Sequence, residues 1–350
     1  MLKTIRCLAG AVVFSAFTAG AASAETLTIS SWGGFFEETL AAEIYPGFTE
    51  KTGIEVKSIA QPEDSAWMTQ LMAAARAKKA PADLSLVVDE TLIRGNTAGL
   101  WAKLDPANME GAKSLIDGYV KTGDDNMAYG VGALAFYTTF VTNTDFAKEA
   151  PTSWKDLWET KWDNKIGIVT TPNSGLLEAT AKTFFGGYEV METREGLEKV
   201  IAKIAELKPQ VSLWYRDEGQ FQQALEAGEL NAGLYYHDVA MLSIWDGKPI
   251  ASTFPEEGGI VSDAYWVVPR DSKNVAAAEK FISYMSMPET QALMARKMGV
   301  FPVVPRSSTD LTDEEFAAVG SDIEPIRVQT EIHLREGDWL ESKYQEMIAE

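Results

Sequence analysis

The sequence predicts an α/β protein built as two lobes, and three features predict it. Strand-like and helix-like segments alternate along the chain, the pattern of helices covering a mostly parallel sheet. Leu84-Ser85-Leu86-Val87-Val88 is nearly all apolar, as a strand covered on both faces must be. The alternation also occurs twice, once over 26–88 and again over 166–236, with no low-complexity linker between. A chain of 350 residues is long enough for two such units.

The elements follow in order. Thr26-Leu27-Thr28-Ile29-Ser30 alternates with the period of a strand and runs into the turn Ser31-Trp32-Gly33-Gly34. Residues 35–52 read as one helix, stopped by Gly53, which tolerates the left-handed conformation that ends helices. Residues 54–59 form a second strand. Residues 67–79 form a second helix, with Met68, Leu71, Met72 and Ala75 on one face. With 84–88 this completes a βαβαβ unit. The second unit has a strand at 166–169, the turn Thr171-Pro172-Asn173-Ser174-Gly175, helices at 176–185, 194–207 and 220–227, and a strand at 232–236. A further strand begins at 264–268 and a helix follows at 276–286.

Two segments are candidates to cross between the units. Residues 132–143 are aromatic and β-branched without a break, as an extended crossing strand would be. Residues 257–263 are candidates to return, and Gly258 and Gly259 there allow unusual backbone angles in a hinge. The expected division is therefore 25–136 plus 264–350 for a discontinuous first lobe and 137–263 for the second.

The first residues read as an export leader over 1–24. Lys3 and Arg6 precede an apolar stretch too short to span a bilayer, and Ala22-Ser23-Ala24 is a small-x-small cleavage signal. Cys7, the single cysteine, leaves with the leader, which removes disulfides, thiolate catalysis and cysteine–zinc sites. Losing Lys3 and Arg6 takes the formal net charge from −20 to −22. Such a field repels nucleic acid and suits a cationic ligand, although it serves solubility equally well. With 46% apolar residues and ten tryptophans the chain is not disordered.

Enzyme signatures are scarce. His237 and His333 are the only histidines, which leaves little material for a serine–histidine triad, and no phosphate loop or dinucleotide fingerprint occurs. A secreted hydrolase remains the less favoured alternative. Tyr235-Tyr236-His237-Asp238 contains acceptable ferric ligands, so an iron-binding protein is a second alternative. Neighbouring strand residues point to opposite faces, however, and Tyr235 is equally a core residue.

Several pieces, in order, resemble the periplasmic solute-binding proteins of the spermidine/putrescine type, a branch of the type II two-lobed fold. They are Ile29-Ser30-Ser31-Trp32, residues 48–54, 82–88 and 151–158, and Pro255-Glu256-Glu257-Gly258-Gly259-Ile260. The resemblance implies a periplasmic capture protein with an ABC permease and ATPase as partners, an amine-bearing small-molecule ligand in a cleft between the lobes, and no cofactor. It also implies aromatic rings that sandwich a carbon chain and carboxylates that hold ammonium ends. Trp32 and Tyr236 match such aromatics, and Asp263 lies one place from a binding aspartate. The turn 171–175 departs from the polyamine pattern, having no acidic residue. Arg216 with Asp238 is the candidate pair for an ω-amino acid such as γ-aminobutyrate, with the carboxylate on Arg216 and the ammonium on Asp238. Alternatively Arg216 pairs with Asp217 or Glu218 on the surface. Glu90 follows a strand at its carboxyl end, where open sheets bind ligands, and competes with helix capping. Tyr137, Ser174, Ser262 and Phe301 are candidates by position. Nothing suggests a coiled coil or a large apolar face, so a monomer is expected.

Overall fold

A computed structural model describes residues 25–62 and 64–349, so the leader expected at 1–24 lies outside the described residues. The first unit comprises β1 (Thr26–Trp32), α1 (Phe35–Thr39), a π-helical turn (Leu40–Ile44), α2 (Tyr45–Thr52), β2 (Glu55–Gln61), α3 (Asp64–Arg76), β3 (Leu84–Val88) and α4 (Asp89–Thr97). The single helix expected over 35–52 is thus interrupted by a turn with wider hydrogen-bond spacing, and Gly53 ends it at φ 72°. Then come β4 (Val120–Thr122) and the long β5 (Ala128–Asn143). The second unit holds β6 (Ile166–Val169), α5 (Leu176–Phe185), α6 (Arg194–Ala205), β7 (Val211–Tyr215), α7 (Glu218–Glu226), β8 (Ala232–Tyr236), α8 (His237–Trp245) and β9 (Ile250–Thr253). The chain closes with β10 (Ile260–Val267), α9 (Val275–Met285), α10 (Pro288–Met298), α11 (Asp313–Ala317), β11 (Ile326–Arg327) and α12 (Thr330–Ala349).

Eight strands lie on one path, β2-β1-β3-β10-β5-β8-β6-β7, with β4 and β9 paired to β5 and β11 to β10. The outer strands are parallel within each unit, while β10 and β5 run antiparallel to their neighbours in the middle. β5 is the pivot of this path. Its residues 131–138 pair with β10 and its residues 138–142 pair with β8. Val131 to Tyr137 belong to one hydrophobic core and Phe140 to another. The return segment and the strand expected at 264–268 are one element, because β10 is already extended from Ile260.

The first core packs β1, β3 and β10 against α2 and α9, through Leu27, Ile29, Phe48, Leu86, Trp266 and Phe281. The second gathers Trp154, Ile166, Ile168, Leu197 and Leu234. A smaller group around Phe221, Tyr215 and Tyr235 lies beside it. The segment 264–350, expected in the first lobe, is divided between the two cores. Ile326 of β11 and Ile332, Leu340, Tyr344 and Met347 of α12 bury themselves in the second core. The apolar face of α12 meets α6 and leaves the first unit's core, which Val267 to Val304 complete without it.

Candidate functional site

A cleft of about 1080 Å³ opens between the two units. It is lined at the carboxyl ends of β1, β3, β6 and β8, and by β10, α8 and the β11–α12 segment. Strand carboxyl ends are where open α/β sheets hold ligands, since side chains and helix amino termini converge there.

One wall of the cleft is aromatic. Trp32, last residue of β1, stands edge-on to Phe36 at 5.0 Å and to Phe136 at 5.7 Å between ring centroids. Phe136 in turn meets Tyr236 at 5.7 Å. Tyr236 reaches this wall because it ends β8. Its neighbour Tyr235 turns into the core, stacks on Phe221 at 4.6 Å and donates its hydroxyl to the Glu218 carbonyl at 3.0 Å. A row of rings of this kind covers a carbon chain and attracts a cation over its faces.

One end of the cleft is acidic. Asp238 sits in the first turn of α8, and its Oδ1 is enclosed with no hydrogen-bond partner among the described residues. Burial pushes its carboxyl up to about 7, the backbone N–H groups of Asp238 and Val239 offset part of this, and Glu218 adds to the rise. Burial raises Glu218 as well, with Asp217 contributing. Glu218 is nonetheless exposed by surface area. The concave wall surrounds it with atoms while water still reaches it, which leaves Glu218 a solvated carboxylate. Gln61 Oε1 and Ser174 Oγ are two further enclosed oxygens on the cleft wall without partners. An unpartnered buried acceptor is costly, and an N–H donor of a ligand relieves it.

The other end carries a cation. Arg327 of β11 donates from Nη1 to Asp263 Oδ2 at 3.0 Å. Tyr119 donates its hydroxyl to Asp263 Oδ1 at 2.7 Å. Burial raises the Asp263 carboxyl, with the Tyr119 bond and the Arg327 charge opposing. Both oxygens of Asp263 are therefore taken by the protein. The Arg327 side chain is 54% exposed in the cleft, which leaves guanidinium N–H groups facing solvent. The β11–β10–β5–β8 ladder sets Arg327 three strand spacings from the end of β8, about 14 Å between backbones. In all, the lining carries Asp89, Glu90, Glu218, Asp238 and Asp263 against the fixed cations Lys121 and Arg327, a negative balance.

Of the residues expected from sequence, Trp32, Glu90, Ser174, Tyr236, Asp238, Ser262 and Asp263 come together on the cleft. Glu90 pairs with Arg94 at 2.8 Å and accepts from Asn173 Nδ2 at 3.3 Å, a contact from one unit to the other. Three residues do not line it. Tyr137 is 4% exposed, wedged edge-on between Phe254 and Phe301. Phe301 bridges Ala135 and packs on Phe316. Arg216 is exposed and donates from Nε to Thr170 Oγ1 at 3.2 Å, while its chain neighbour Tyr215 lines the cleft. Sequence reasoning missed Arg327, Phe136, Gln61 and Glu218. Arg327 lies on a two-residue strand without periodicity, and nothing local marks it.

Residues 43–319 match the model of the bacterial extracellular solute-binding proteins. The chain belongs to this family. Among its relatives is the gamma-aminobutyric acid-binding protein of Pseudomonas aeruginosa, 26% identical over 94% of this chain and 93% of that protein. Another is the spermidine/putrescine-binding periplasmic protein of Salmonella typhimurium, 23% identical over 88% of this chain and 86% of that one. An ABC transporter substrate-binding protein from Bradyrhizobium japonicum superposes with a TM-score of 0.79 at 19% identity, covering 93% of this chain and 99% of its own, and shows the same two-lobed fold. The solute-binding family favours the capture of a small molecule over the iron alternative. His237, one of the residues that alternative needs, is buried. Its Nδ1 meets Ser252 Oγ at 2.8 Å and its Nε2 the Ala318 carbonyl at 3.0 Å. Burial lowers its pKa to about 4, the Ala318 bond opposing. Its ring nitrogens are occupied within the protein rather than offered to a metal.

Proposed function

We propose that this protein is the capture component of an ABC importer, and that it takes an ω-amino acid of the γ-aminobutyrate class. The observation that carries this reading is the polarity of the cleft. Asp238, a carboxylate with one enclosed oxygen that has no partner among the described residues, stands at one end, a solvent-facing guanidinium, Arg327, at the other, and the rings of Trp32, Phe136 and Tyr236 lie between. The ammonium seats on Asp238, with Glu218 adding field. The carboxylate seats on Arg327, which Asp263 and Tyr119 hold in place. A diamine or polyamine satisfies the acidic end and meets a cation at the other, so it is the second reading. The relative that binds γ-aminobutyrate agrees with the first.

Residues 1–24 would export the chain to the periplasm, where it works with a permease and an ATPase. The first lobe comprises 25–137 and 261–304, and the second 140–260 with 326–349. Closure of the lobes excludes water and strengthens the charge pairs inside. Only a difference in affinity between open and closed forms can drive that closure. The ligand leaves chemically unchanged.

Calorimetric titration of the mature protein with γ-aminobutyrate, putrescine and spermidine tests the proposal. Binding of the amino acid and weak or no binding of the diamine supports it. Polyamine binding with no amino-acid binding overturns it. NMR of the recovered ligand checks that no reaction has occurred.

A further inference from the structure

The Arg327 backbone pairs with Val261 of β10, and further contacts hold it from the second lobe. Its side chain reaches Asp263 on β10. Its backbone N–H donates to the Tyr188 hydroxyl at 3.3 Å, and its carbonyl accepts from Gln329 Nε2 at 2.8 Å. Gln329 is itself tied down, since its backbone N–H donates to Glu178 Oε1 at 2.9 Å. The same oxygen meets His333 Nε2 at 2.7 Å.

Glu178 lies on α5 within the second core and is 0% exposed, with Oε2 enclosed and unpartnered among the described residues. Its helix neighbours Leu176, Leu177, Ala179 and Ala181 are all core residues. An apolar side chain would pack there at no electrostatic cost, whereas a carboxylate must be compensated by directed partners. Both of its partners belong to the segment 329–333, immediately after Arg327. Burial lowers the basicity of His333, yet the hydrogen bond and charge of Glu178, together with the charge of Glu90, leave its pKa raised. The pair thus draws the start of α12 onto α5.

We infer that Glu178 is a positioning residue. Through Gln329 and His333 it fixes the backbone that carries Arg327, and so sets where the guanidinium meets the acid group of the ligand. This inference rests on Arg327 being the acid-group anchor. It assigns Glu178 a part in choosing acid-bearing over acid-free amines, although Glu178 does not line the cleft.

The test measures affinity for γ-aminobutyrate and for n-butylamine, which has the same amine and chain length without the acid. Glu178→Ala is expected to weaken γ-aminobutyrate about tenfold or more while leaving n-butylamine within twofold. Glu178→Gln retains an oxygen for Gln329 N–H and should restore most of the loss. Gln329→Ala, which lies off the cleft and removes the bond to the Arg327 carbonyl, should cause a smaller selective loss, and it carries the test should Glu178→Ala not fold. Equal weakening of both ligands, or of neither, overturns the inference. Arg327→Met separates the two levels. If it leaves the preference between the ligands unchanged, the anchor itself is wrong. If it abolishes the preference while the Glu178 and Gln329 variants keep it, only the positioning role fails.

Discussion

Asp238→Asn is the perturbation whose outcome the structure sizes most directly. The enclosed carboxyl is raised from its ordinary 3.8 to about 7, with burial the largest cause. The folded protein therefore disfavours the charged form. The stability that Asp238 contributes is complete below about 3.8 and is lost as pH rises through about 7. At 1.36 kcal/mol for each pH unit the loss approaches roughly 4 kcal/mol. The asparagine variant does not titrate there. In urea unfolding without ligand, the variant should match the wild type near pH 4 and exceed it by an amount that grows to about 4 kcal/mol at pH 8. Glu218, the acidic neighbour that adds to the shift, is present in both proteins and largely cancels. The ligand supplies the converse. An ammonium needs the charged carboxylate, so γ-aminobutyrate affinity should fall about tenfold per pH unit below about 7, and the variant should bind weakly at every pH. A stability difference independent of pH would refute the reasoning, because Asp238 would then titrate like an exposed carboxylate.

Three further outcomes are expected. Arg327→Met should weaken γ-aminobutyrate by about 2 kcal/mol, roughly thirtyfold, while Arg216→Ala leaves its affinity unchanged in the same titration. Trp32→Ala and Tyr236→Ala should each weaken amine ligands by about 0.5–2 kcal/mol, measured by calorimetry with circular dichroism to check the fold. Gly258→Ala should lower stability by at least about 1–2 kcal/mol in urea unfolding, since Gly258 has φ 101° and a Cβ there would lie 2.2 Å from the Glu324 carbonyl oxygen.

How much of this could be read from residues alone follows the range of the forces involved. The strands 26–30, 84–88 and 232–236 were legible because side-chain alternation and unbroken apolar runs are local consequences of the pleat and of burial. The helix stop at Gly53 was legible because a left-handed residue is a property of one position. The extended course of 132–143 was legible because aromatic and β-branched residues favour the pleated backbone. For these elements the relevant physics acts within a few residues. Glu90 was expected at the cleft because it follows the carboxyl end of a strand, whereas Trp32 and Tyr236 were expected from the family resemblance and Asp238 as an ammonium partner.

The tertiary structure decided what depends on partners far apart in sequence. Arg216 and Arg327 are both arginines in polar surroundings, and no local feature separates them. Arg216 bonds Thr170, whereas pairing of β11 with β10 delivers Arg327 to Asp263, 64 residues away. The home of α12 was hidden for the same reason. An amphipathic helix specifies an apolar stripe, but not which of two cores will bury it. Tyr137 and Phe301 were placed in the cleft by position and removed from it by their mutual packing. Charge, periodicity and backbone permissiveness are written along the chain; which lobe a residue serves is settled only when the lobes meet.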